Sequence, residues 1–133
     1  MAQNTVLVID DDPAIRTLIS RLVELLGFRT VTAAHGSAGL QLFRKQRKEI
    51  ACVLLDAVMP VMNGVETMRE LRRLDVDVPV FVVSGQEQDE LEELFAAALP
   101  EQFIAKPCDG DALLEALRAW HIIPGLPEPA SAR

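Results

Sequence analysis

Thr5-Val6-Leu7-Val8-Ile9-Asp10-Asp11-Asp12-Pro13 is the stretch from which the rest of the chain becomes readable. An unbroken run of β-branched and apolar residues suits a short strand buried on both faces, because a strand with one wet face would alternate. Aspartates end the run, and Pro13 stands where a helix can begin, since the first helical residue needs no amide donor. Beyond it Ile15, Leu18, Ile19, Leu22, Val23, Leu25 and Leu26 recur at helical spacing until Gly27 closes the segment. Asp12 has the chemistry of a helix cap. The unit is strand, acidic turn, helix.

Apolar runs and helical spacing go on alternating along the chain, without an internal repeat. Apolar runs stand at 28–33, 50–55, 78–83 and 103–105. Helical spacing appears after Gly36 through Leu40 and Phe43, then through Val65, Met68 and Leu71, then through Leu91, Leu94, Phe95 and Ala98. A last helix carries Leu113, Leu114, Leu117 and Trp120, with Asp109 at its cap and Asp111 in its first turn. Strict alternation of strands and helices predicts an α/β fold with right-handed crossovers and a parallel sheet. The first, third and fourth runs are apolar enough for central strands, whereas Phe28-Arg29-Thr30-Val31-Thr32 mixes polar and apolar residues as an edge strand does. These features favour the flavodoxin-like doubly wound sheet, order 2-1-3-4-5, over a barrel, which needs about eight such units. Residues 1–123 form the expected domain. The proline-rich stretch 124–133 lacks periodicity and reads as a disordered tail or the start of a linker.

Composition narrows the function. The 133 residues are 50% hydrophobic and 25% charged, the balance of an ordinary globular protein. Thirteen basic against twenty acidic residues give a net charge of −7, which disfavours autonomous binding to nucleic acid or anionic lipid. Apolar runs such as 50–55 fall far short of the roughly twenty residues a membrane span needs. The N-terminus has no basic segment followed by an apolar one, so a cytoplasmic protein without membrane insertion is expected. Cys52 and Cys108 form no CxxC pattern and suggest neither a disulfide framework nor a zinc site. Cys52, inside an apolar run, reads as a small buried hydrophobe. His35 and His121 stand apart from any ligand cluster.

What ends each run is the informative pattern. Asp10-Asp11-Asp12 end the first, Asp56 the third, Ser84 the fourth and Lys106 the fifth. Open parallel sheets bind ligands beyond the carboxyl ends of their strands, at the switch point of the winding order. Asp10, Asp11 and Asp56 should therefore meet in one crevice, with Ser84 and Lys106 beside them. Carboxylates gathered together repel one another unless one is protonated or cations are supplied. Lys106 brings one positive charge and a hard divalent ion brings two; an all-oxygen ligand set suits Mg²⁺ or Mn²⁺. A carboxylate can also act as a nucleophile and form an aspartyl-phosphate. Transfer of a phosphoryl group needs mainly positioning and charge stabilisation, which such a crevice offers.

Four motifs, Val6-Leu7-Val8-Ile9-Asp10-Asp11-Asp12-Pro13, Leu54-Leu55-Asp56-Ala57-Val58-Met59-Pro60-Val61-Met62-Asn63-Gly64, Val82-Val83-Ser84-Gly85 and Phe103-Ile104-Ala105-Lys106-Pro107, occur in this order at the strand ends. Together they resemble the response-regulator receiver domain of two-component signalling, chemotaxis-regulator-like, over about residues 5–121. The resemblance implies that Asp56 is the phosphoacceptor, served by a histidine kinase or a histidine phosphotransfer protein. It implies Mg²⁺ held by Asp10, Asp11, Asp56 and the backbone carbonyl of Val58, with Asp11 direct and Asp10 largely through water. It places Lys106 on the phosphoryl oxygens and makes the peptide before Pro107 cis. Ser84 and Phe103 become the switch that reshapes the helix 4–strand 5–helix 5 face, in a monomer or a weak phosphorylation-linked dimer.

Ser84 and Phe103 depart from the family's commoner Thr and Tyr. Serine keeps the hydroxyl, whereas phenylalanine has no phenolic oxygen and can gate the face only by packing. Val58 and Gln86 occupy positions where family members tune hydrolysis; apolar Val58 cannot hold a water, which leaves Gln86 or a partner phosphatase. Asn63-Gly64 reads as turn chemistry alone. Two rivals stand beside the receiver reading. A small haloacid-dehalogenase-like phosphohydrolase would use Asp10 and Asp12 as its Asp-x-Asp pair, although Pro13 breaks that pattern. A non-phosphorylated pseudo-receiver would serve only as a docking module, which the complete acidic set and Lys106 argue against.

Overall fold

The computed structural model describes residues 4–57, 59, 63–85, 88–95, 100, 102–106, 109–120 and 122. Five strands alternate with five helices: β1 Thr5–Ile9, α1 Pro13–Leu25, β2 Arg29–Ala33, α2 Gly36–Gln46, β3 Ile50–Asp56, α3 Gly64–Leu74, β4 Val80–Ser84, α4 Gln88–Leu94, β5 Gln102–Ala105 and α5 Gly110–Ala119. The strands make one sheet in the order β2-β1-β3-β4-β5, and every pair is parallel. Both the architecture and the strand order are those expected from the sequence. The expected tail, 124–133, lies outside the described residues.

Successive side chains of a strand point to opposite faces, so each central strand feeds two cores. Leu7, Ile9, Val53, Leu55, Val80 and Val82 face α2, α3 and α4, where Leu40, Phe43, Met68, Leu71, Leu91 and Phe95 close over them. Val6, Val8, Leu54, Phe81, Val83 and Ile104 face α1 and α5, under Ile19, Val23, Leu113, Ala116 and Leu117. One register shift between Thr5 and Val6 lets Ala51 and Cys52 fall in the same core, where plain alternation would separate them. Cys52 is buried, as its apolar setting predicts.

Helix ends follow from local chemistry. Asp12 caps α1, its Oδ1 accepting from the amides of Ala14 (2.9 Å) and Ile15 (3.3 Å), with Pro13 at the first helical position. The other end closes in a Schellman arrangement: the Gly27 amide donates to Glu24 (3.0 Å), the Phe28 amide to Val23 (3.3 Å), and Gly27 has φ 103°. Phe28 is buried with Val23 in the same core, so β2 begins one residue later than the apolar run suggests.

Periodicity overreached in two helices. Leu18 and Leu25 are 43% and 83% exposed, so α1 presents Ile19 and Val23 inward and only edges of its other apolar residues. Trp120, expected on the buried face of the last helix, is the C-cap of α5 and 46% exposed; Ala116 packs inward instead. β3 and β4 each run one residue further than predicted, to Asp56 and Ser84, and β4 starts at Val80 rather than Val78. His35 serves the backbone, since its Nδ1 accepts the Ala38 amide at 3.2 Å and caps α2.

Candidate functional site

Side chains from neighbouring strands meet at their carboxyl ends. Asp10 follows β1, Asp56 is the last residue of β3, Ser84 the last of β4, and Lys106 follows β5. Main-chain bonds align these ends: the Asp10 amide donates to Ala33 (3.1 Å), the Ala57 amide to Val83 (3.4 Å) and the Lys106 amide to Ser84 (2.9 Å). Carboxylate oxygens of Asp10, Asp11 and Asp56 all lie within 4.8 Å of one another. Asp10 and Asp56 are buried, and Asp11 sits at the rim, exposed. Ser84 is buried beside them at the end of β4.

Lys106 is the cation of this pocket. Its Nζ hydrogen-bonds Asp56 Oδ1 at 3.3 Å and stands 3.3 Å from Asp10 Oδ2. Burial works against the ammonium charge, but the facing carboxylates of Asp56 and Asp10 outweigh it, and the Lys106 pKa lies above the ordinary lysine value. One positive charge still faces three carboxylates.

The residues present fit a hard divalent cation. Asp10 Oδ1 accepts the Asp12 amide at 2.9 Å, whereas Asp10 Oδ2 is buried and accepts no hydrogen bond; Lys106 approaches it only as an ion pair. Lys106 offsets only part of the charge of three gathered carboxylates, and a divalent cation would offset the rest. The set supplies oxygen ligands only, as Mg²⁺ and Mn²⁺ prefer. Asp12 is not part of the set. Its carboxylate is exposed and engaged at the cap of α1, which leaves an Asp10/Asp12 catalytic pair without its second member.

A family model described as the response regulator receiver domain matches residues 6–118. The chain belongs to that family. Receiver domains are phosphoacceptor signalling modules of two-component systems, and they act with histidine kinases or phosphotransfer proteins. The receiver is 32% identical over 115 residues to the transcriptional regulatory protein AfsQ1 of Streptomyces coelicolor, covering 86% of this chain and 50% of that protein. It spans about half the length of the first curated relatives it matches. The chemotaxis protein CheY4 of Vibrio cholerae superposes with a TM-score of 0.82 at 26% identity, covering 88% of this chain and 98% of that one. The receiver domain of sensor histidine kinase PA1611 from Pseudomonas aeruginosa PAO1, whose structure has a magnesium ion coordinated in the active-site cleft, superposes with a TM-score of 0.80 at 25% identity, covering 88% and 96%. No described helix of the receiver is long and apolar enough to cross a membrane.

Of the residues singled out in the sequence, Val58, Pro60, Val61, Met62, Gln86, Ala98, Pro107, Cys108 and His121 lie outside the described residues. Phe103 is half-buried and meets Phe95 edge-to-face, ring centroids 5.9 Å apart and 67° between planes. Two neighbours of the receiver's pocket, Arg16 and Gly64, were not read as functional from the sequence. The Arg16 guanidinium donates to the backbone carbonyl of Asp10 at 2.8 Å. Gly64, read as a turn residue, abuts the main chain of Asp56 and Ala57, and its amide donates to Ala57 at 3.1 Å. Asn63, beside it, is the cap of α3 in a reciprocal box with Glu66. A capping box followed by an obligate small residue was legible there as Asn-Gly-x-Glu, and turn chemistry alone undersells it.

Proposed function

We propose that this receiver takes a phosphoryl group from a phosphohistidine onto Asp56 and thereby changes its affinity for a partner. An Asp56 carboxylate oxygen attacks phosphorus, the P–N bond breaks, and its electron pair returns to the imidazole nitrogen of the kinase or phosphotransfer protein. Asp56 is held for this by the end of β3 and by the hydrogen bond from Lys106 at 3.3 Å. As the phosphoryl group arrives, Lys106 can follow it to one of the transferred oxygens, because its ammonium lies between Asp10 and Asp56. Asp10, Asp11, Asp56 and the Val58 carbonyl would hold Mg²⁺ (or Mn²⁺), which when bound neutralises charge and orients phosphoryl oxygens. What carries the reading is the convergence of three carboxylates within 4.8 Å of one another, with Asp10 Oδ2 buried among them and, among the described residues, approached only by the Lys106 ammonium at 3.3 Å.

Ser84 and Phe103 are the proposed relay. Ser84 would turn its hydroxyl toward the new phosphoryl group, and Phe103 would repack against Phe95, altering the α4–β5–α5 face. The proposed setting is cytoplasmic, with residues 1–123 as the working unit. Incubation with acetyl phosphate and Mg²⁺, followed by intact mass measurement, tests the reading. Wild type is expected to gain the mass of one phosphoryl group, and Asp56→Asn none. An equal gain in the variant, or none in wild type, overturns it.

A further inference from the structure

Arg16 is the fourth residue of α1, near a helix end that disfavours cations, although the carboxylate of the cap Asp12 partly offsets that end. The guanidinium leaves the helix surface and reaches back six residues to the Asp10 carbonyl at 2.8 Å, in a partly buried bond. Asp10 is then fixed from three sides, its amide on Ala33 (3.1 Å), its Oδ1 on the Asp12 amide (2.9 Å) and its carbonyl on Arg16. These restraints leave Oδ2 as its one oxygen aimed into the pocket without a hydrogen bond.

We propose that Arg16 is a positioning residue of the phosphoacceptor pocket: its bond to the Asp10 carbonyl holds the Asp10-Asp11 corner in the geometry that receives the divalent cation. The inference rests on the reading of Asp10 and Asp11 as cation-holding residues. Charge and geometry give opposite expectations, which makes it testable. As a mere positive charge beside the pocket, Arg16 would repel a cation, and its removal would tighten binding. As a clamp it preorders the ligands, and its removal weakens binding, as loss of outer-shell partners does at metal sites.

The test is calorimetric titration of the metal-free protein with Mg²⁺ alone, for wild type, Arg16→Met and Arg16→Lys, beside thermal unfolding without Mg²⁺. Arg16→Met is expected to weaken Mg²⁺ binding about tenfold. Arg16→Lys keeps one charged donor and should restore affinity to within roughly threefold of wild type, without the planar fork. Unchanged or tighter binding by Arg16→Met overturns the clamp, whatever happens to the melting temperature. Should Arg16→Met not fold, Arg16→Lys binding more tightly than wild type overturns it equally. Absence of Mg²⁺ binding by wild type removes the reading of the pocket itself, and the clamp with it.

Discussion

Replacing Gly64 by alanine should remove about 3 kcal/mol of stability, the upper end of ordinary overpacking, and with it most phosphoryl uptake. A Cβ on Gly64 would lie 2.6 Å from the Asp56 carbonyl oxygen, 2.8 Å from that of Ala57 and 2.9 Å from the Ala57 Cα. All three are backbone atoms, so no side chain can swing aside. The chain must shift where β3 delivers Asp56, and displacement of a reacting group by about 1 Å is enough to slow a reaction about a hundredfold. Gly85, next to Ser84, is the control: a Cβ there meets nothing within 4 Å, so Gly85→Ala should unfold at nearly the wild-type denaturant concentration. Equal denaturation midpoints for the Gly64 and Gly85 variants would show that the close approach of α3 to β3 has no energetic weight.

Lys106→Met should separate what holds the pocket together from what the pocket does. The variant removes the ammonium that stands 3.3 Å from both Asp10 Oδ2 and Asp56 Oδ1. Breaking a buried pair costs about 3–5 kcal/mol; with 23% of the Lys106 side chain exposed, solvent screening reduces the expected loss to about 2 kcal/mol. Phosphoryl uptake should fall at least about a hundredfold, as when one donor to a developing negative charge is removed. The pH dependence has a definite sign. Because the Lys106 pKa is raised on folding, its contribution is fully present below the unfolded lysine value, about 10.4, and is lost as pH rises through the higher folded value. On the alkaline side, wild type should keep its stability advantage over Lys106→Met up to that range and lose it there, read from denaturant unfolding at a series of pH values. A gap that closes near neutral pH would contradict the pairing.

The parts of this molecule legible in the sequence are those where one residue type answers one physical demand. Polar residues ending apolar runs at Asp10, Asp56, Ser84 and Lys106 named the carboxyl edge of a parallel sheet, because ligands of such sheets bind beyond that edge. Asp12, Pro13 and Gly27 marked α1 for the same kind of reason, each fitting a backbone need at a helix end. Periodicity served less well where it had to choose a face. Seven apolar residues between Ile15 and Leu26 specify a helix, but the fold buries only a stripe, and Leu18 and Leu25 fall outside it. Trp120 continued the rhythm of α5 past the point where the helix ends.

Long-range steric and hydrogen-bond demands left weaker traces. Nothing local in Asn63-Gly64 says that the main chain of Asp56 will pass against Gly64, since that depends on how α3 returns over β3. His35 as a cap is unusual enough that residue preferences point elsewhere. Arg16, a cation near a helix N-terminus that Asp12 already caps, acquires meaning only from the position of the Asp10 carbonyl. The same geometry removes the phosphohydrolase rival: Asp12 is held at the helix cap rather than in the pocket.

Reductive trapping tests the central claim most directly. After phosphorylation with acetyl phosphate and Mg²⁺, borohydride reduces an acyl phosphate to the alcohol, and peptide mass spectrometry then reads which aspartate has become homoserine. Homoserine at position 56 alone is the predicted result. Homoserine at position 10 or 11, or at none of the three, would contradict the assignment of Asp56 as the carboxylate that the other two and Lys106 are arranged to serve.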